Sequence, residues 1–250
     1  MGKYRLLKKT AGLAAALKVL GFAVVLLTAS SVVAQQPRKL LMSKLPEPPK
    51  QLKKLLVAGE VTFEVGPRGS AGDPLVIGET HYVISYRYNS EAKWQLSRDA
   101  QGARVMIIDA GFSRVRWKPR HVIWLRDQPA AGDFWSNSVL LHEFDHVRIS
   151  TDPRVAKRFA ELLRQRRVIR HLLQPGEVAG RELTDKLVER QARAVFDELT
   201  ELIAIRYREL DRETSHGRTP VPSDSKLYEL LRPNAVLRMP EEGSDAPSRN

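Results

Sequence analysis

The chain has 250 residues, 41 Lys+Arg against 29 Asp+Glu for a net charge of +12, and no cysteine. That length can bury one sizeable core with appendages. The missing cysteine excludes disulfides and every thiolate zinc site, so any zinc must be held by His, Asp or Glu.

The charge is unevenly spread. Residues 1–56 hold 11 Lys+Arg against Glu47 alone, while residues 57–250 hold 30 against 28. A nucleic-acid binder carries its basic stripe on the folded domain, and here the folded part is nearly neutral. The expectation is targeting and attraction to anionic lipid, with no nucleic-acid partner.

Residues 1–34 read as a signal peptide. Lys3, Arg5, Lys8 and Lys9 form a positive start, Val19 to Val33 an apolar stretch, and Val32-Val33-Ala34 a cleavage site before Gln35. The rival reading is an uncleaved membrane anchor, because no residue from Val19 to Pro37 is charged. Either places the rest outside the cytoplasm of a bacterial host, periplasmic or secreted, with membrane association through the N-terminal segment in the anchor case.

Residues 35–56 are rich in Pro and Lys and read as an extended linker, with a domain over 57–232. Gly59–Val65 is the first expected strand, followed by turn chemistry over Gly66–Pro74. His81–Tyr88 alternates, with Tyr82, Ile84, Tyr86 and Tyr88 on one face. Arg104–Asp109 and Ser113–Leu125 are two further strands. A helix is expected next around residue 142, with Asp133, Ser136 and Asn137 available as caps. Asp152-Pro153 then opens a helix to about Leu173, and a long helix follows over about Glu182–Leu210. Residues 233–250 have the composition of a disordered tail. Strands first and helices later give α+β, with a mostly antiparallel sheet followed by three helices.

His142-Glu143-Phe144-Asp145-His146 is H-E-x-x-H. Residues four apart share a helix face, so both imidazoles can address one metal ion. Glu143 beside them can act as general base on a water at that metal. This is the constellation of zinc-dependent peptide hydrolysis. Leu140, Phe144 and Val147 recur at three- and four-residue steps, as a half-buried helix requires.

From about Val76 to Gly217 the chain resembles a bacterial family of predicted secreted zinc-dependent proteases within the zincin group. Three segments carry the likeness: Thr80-His-Tyr82-Val-Ile-Ser-Tyr86, Trp135 ahead of the motif, and Leu210-Asp211-Arg-Glu-Thr214-Ser-His216-Gly217. The last matches a Y-D-x-x-T-x-H-G pattern, with Leu210 where an aromatic is usual. The family's later Gln and Trp have no clear match. The resemblance implies a zincin-like metallopeptidase with one zinc per chain and a peptide or protein substrate. It leaves open a non-catalytic envelope-binding protein that keeps a structural zinc on that scaffold.

The third zinc ligand has three readings. His216 is preferred, because it falls on the resembling segment beside Gly217, with Asp211 or Glu213 to orient its ring. Glu201 or Glu198, with Asp197 behind, follows the arrangement of zincins that use a glutamate on the next helix. Asp152 lies six residues after His146, the metzincin spacing, but Ile149 stands where that arrangement uses Gly. His121, His171, Tyr207 or an Arg can supply the oxyanion donor, and Val122–Leu125 is the expected edge strand for an extended substrate.

Overall fold

The alternation at Tyr82–Tyr88 lies inside a strand of 21 residues, much longer than the apolar run that announced it. The computed structural model describes residues 2–7, 36–67 and 76–232. In chain order these form β1 (Gly2–Leu7), β2 (Arg38–Leu40), α1 (Lys50–Ala58), β3 (Val61–Val65), β4 (Gly78–Arg98), β5 (Arg104–Leu125), α2 (Ser138–Thr151), α3 (Pro153–Gln165), β6 (Val168–Leu172) and α4 (Arg181–Thr214). The strands pair in the order β1-β4-β5-β3-β2, with β6 also on β5. β1 with β4, β2 with β3 and β5 with β6 are antiparallel, whereas β3 and β5 are parallel. The fold is therefore α+β with a mixed sheet. The parallel pair departs from the mostly antiparallel expectation because it joins strands separated by all of β4, a pairing that local pattern does not encode.

The expected apolar leader segment, its cleavage site, most of the Gly66–Pro74 turn and the 233–250 tail lie outside the described residues. Among the described residues, no helix is long and apolar enough to cross a membrane.

The described residues divide into two compact units: residues 2–7, 84–118 and 152–206, and residues 36–67, 76–83, 119–151 and 207–232. In the first, Tyr86 and Tyr88 from β4, Met106 and Ile108 from β5, Phe159 and Leu163 from α3, and Leu187, Ala192 and Val195 from α4 form the core. Asp152 caps α3, accepting from the Arg154 N–H at 2.9 Å, with Pro153 at the first position as expected. The helix stops at Gln165, short of the expected Leu173. Val168 and Ile169 begin β6 instead, and Ile169 is buried against the core. A β-branched pair fits a pleated edge on β5 better than another helical turn. The two strands expected over 104–125 are one. Arg114, at φ +50°, absorbs the break: exposed residues 113 and 114 are adjacent, and the alternation resumes shifted by one.

The second unit holds the other core: Leu52, Leu55 and Leu56 of α1, Phe63 of β3, Ile123 and Leu125 of β5, and Leu140, Phe144 and Val147 of α2. The expected linker thus contains a helix. Leu52, Leu55 and Leu56 have i, i+3, i+4 spacing, which the Lys and Pro content obscured. Trp135 rests edge-on against Phe134 and Phe63, and its Nε1–H donates to the Pro46 carbonyl at 2.9 Å. It therefore ties the chain before α1 to the base of α2. Val122–Leu125 is not an edge. It pairs with Thr62–Val65 of β3, and Arg126 N–H bonds Ile77 on the β4 side.

Candidate metal centre

α2 is nearly encased: residues 140–147 are all buried. Asn137 caps it, its side-chain oxygen accepting from the Leu140 N–H at 3.0 Å. His142 and His146 lie on one face of α2, edge to face, with ring centroids 4.8 Å apart. Both Nε2 atoms converge on one carboxylate oxygen. Asp211 Oδ1 lies 3.2 Å from His142 and 3.1 Å from His146. These three ligand atoms lie within 4.8 Å of one another, and His142, His146 and Asp211 together could hold a metal ion.

Two features bear on the fit of a metal. Ligands at 2.0–2.2 Å around a tetrahedral ion stand roughly 3.3 Å apart, close to the two His–Asp separations, which are also hydrogen-bond distances, while the three atoms as a group spread up to 4.8 Å. The second is the tautomer of His142. The Thr214 hydroxyl donates to the Leu210 carbonyl at 2.8 Å and accepts from the Gly217 N–H at 3.1 Å. Its proton is committed, so towards His142 Nδ1, 3.5 Å away, it can only accept. An Nδ1–H form of His142 would fit that contact and leave Nε2 to a metal, in place of the Nε2–H donation to Asp211 that the 3.2 Å contact represents without one.

α4 makes this possible by running to Thr214, one turn past the expected end at Leu210. Asp211 and Thr214 then share a face of the last turn. Ser215, His216 and Gly217 follow with φ of +49°, +57° and +79° and end the helix, the His216 N–H bonding the Asp211 carbonyl at 2.8 Å. A Cβ at Gly217 would lie 2.7 Å from His142 Cβ and Cγ, so the backbone is pressed directly against the ligand side chain.

The residues proposed from sequence are placed as follows. His142 and His146 come together, and Asp211, expected to orient a ring, is itself in the ligand group. His216 is 81% exposed, with Nδ1 3.7 Å from the same Asp211 oxygen. Glu213 Oε2 is enclosed without a hydrogen-bond partner among the described residues. Glu198, Glu201 and Asp152 belong to the other unit. There Glu198 pairs with Arg166 and Asp152 with Arg154.

Among the oxyanion candidates, His121 has both nitrogens engaged, by the Gly59 carbonyl at 2.8 Å and Ser150 Oγ at 2.7 Å. Burial lowers its pKa. His171 pairs with Glu177 in the first unit. Tyr207 packs against His146, ring centroids 4.5 Å apart, and burial raises its phenol.

Glu143 is buried beside the group. Burial pushes its carboxyl up to about 7, against the lowering effects of His142 and a hydrogen bond from Thr80. Asp211 goes the other way. Partial burial raises it, but hydrogen bonds from His142 and His146 outweigh that and hold it well below the usual carboxylate range.

Two contributors went unassigned in the sequence reading. Thr80 Oγ1 donates to Glu143 Oε2 at 2.7 Å. Gly78 leaves the other oxygen its space, since a Cβ there would stand 3.0 Å from Oε1. Carrying the alternation back from Tyr82 by one step would have put Thr80 on the inward face. No family model, curated protein or solved structure matches the chain.

Proposed function

We propose that the chain is a zinc-dependent peptidase of zincin-like fold, with His142, His146 and Asp211 holding one zinc per chain and Glu143 as general base. One observation carries the reading: Asp211 Oδ1 stands 3.1–3.2 Å from both motif imidazoles, beside a buried glutamate. Two nitrogens and a carboxylate oxygen suit zinc. When bound, zinc supplies Lewis-acid polarisation of a carbonyl and a lowered pKa for water.

The remaining work falls to the protein. With a metal bound, the Thr214 hydroxyl would accept from His142 Nδ1–H, which leaves Nε2 to the ion. Glu143 takes the proton of the attacking water and returns it to the departing amine. Its burial keeps bulk water from competing for that proton. The intact Glu143 favours an enzyme over a structural zinc site, which has no use for this carboxylate.

The test is zinc content of the full chain together with digestion of a broad peptide library. The parent is expected to hold about one zinc and cleave. Glu143→Gln is expected to hold the zinc and cleave at least ~100-fold more slowly, at the low end of acid–base contributions. Equal cleavage by Glu143→Gln and the parent would refute the general-base role.

A further inference from the structure

A glutamate one residue after a metal-binding histidine has three side-chain torsions, and a general base must offer one lone pair at one place. α2 alone does not fix that place. The fixing groups lie on β4, at Gly78 and Thr80, which alternation puts on the same face of the strand. The Thr80 hydroxyl has a single proton and two acceptors in reach, Glu143 Oε2 at 2.7 Å and the Glu143 carbonyl at 3.2 Å. The shorter contact, to a carboxylate, takes the proton. At Gly78, a Cβ would meet Val139 Cγ1 at 2.5 Å and Glu143 Oε1 at 3.0 Å, so only glycine leaves Oε1 its present position. The two carboxylate oxygens are thereby made unequal: Oε2 is bonded to β4, and Oε1 lies free of that bond over the glycine.

We propose that Thr80 is a positioning residue for Glu143, tying up Oε2 so that Oε1 is the oxygen that accepts the proton. This rests on the peptidase reading above. Nothing in it requires Thr80 to touch substrate or metal. A hydroxyl is needed and a methyl is not, so serine should serve and valine, nearly the same shape, should fail.

The experiment compares Thr80→Val and Thr80→Ser in the full chain. Thr80→Val is expected to bind zinc as the parent does, keep KM, and lose kcat by ~10–100-fold, the scale of an ångström-level misplacement of a catalytic group. Thr80→Ser is expected to recover most of that loss. A parent-like kcat in Thr80→Val, or an equal loss in Thr80→Ser, overturns the proposal.

A second readout needs no activity. In metal-free protein the infrared carboxyl band of Glu143, assigned by its disappearance in Glu143→Gln, should shift in Thr80→Val and return in Thr80→Ser. An unshifted band also overturns the proposal. A parent that cleaves nothing while the band shifts refutes the peptidase reading and leaves the Thr80 contact standing.

Discussion

Asp211 and His216 lie five residues apart at the end of α4, and backbone conformation separates them. Asp211 is still helical and points its oxygen between the two imidazoles. His216 sits past the helix in a left-handed turn and is 81% exposed. The group that could hold a metal contains Asp211, and the proposed site therefore takes Asp211 as third ligand in place of His216. Asp211→Ala should weaken zinc affinity by more than ~100-fold, beyond the ~10–100-fold seen when only an outer partner is lost. His216→Ala should stay within that smaller range, as competition with a chromophoric chelator would show. The reverse ranking would restore His216. The histidine pair was legible because an i, i+4 spacing fixes its own geometry. Asp211 was not, because its role depends on one extra helical turn, and element boundaries are set by tertiary contacts that local sequence does not carry.

Among the elements, α1 shows how composition can mask periodicity. Lys50–Ala58 carries three lysines, yet Leu52 is fully buried, and Leu55 and Leu56 join it in the core beneath α2. Leu52→Ala should cost ~2–5 kcal/mol, the usual range for emptying a buried leucine site. Urea unfolding followed through the core tryptophan fluorescence would measure it. A loss under 0.5 kcal/mol, the level of a surface substitution, would mean that α1 is a decoration and the linker reading was nearer the truth. The β6 segment teaches the converse. Its Arg-rich surroundings look helical, but Val168 and Ile169 pair with β5, and pairing with a distant strand outweighs a weak helical preference. The long strand β4 was recognisable from Tyr82 to Tyr88, since alternation is strongest where one face is buried.

At the scale of the whole chain, the fold class was legible from element order, whereas the division into two units was not. β4, β5 and α4 each contribute residues to both units, so no linker composition marks a boundary. Folding and metal should be coupled, since the three ligands come from two segments that chain connectivity leaves 65 residues apart. Zinc at ~100 times its Kd adds ~2.7 kcal/mol, and each kcal/mol moves Tm by roughly 2–4 °C at this size. Chelation should therefore lower the parent's Tm by about 5–10 °C and leave Asp211→Ala unmoved, as calorimetry would record. A parent indifferent to chelator would count against the metal. The turn at Gly217 bears on how this chain can vary over time. Every one-step replacement of glycine adds a Cβ, and the space for that atom is already filled by the His142 side chain. Under the proposed function, drift cannot resolve the clash by altering position 142, because its imidazole is then a ligand. The two positions are mutually locked, and lineages that keep the activity should keep both, while loss at either one should free the other to diverge.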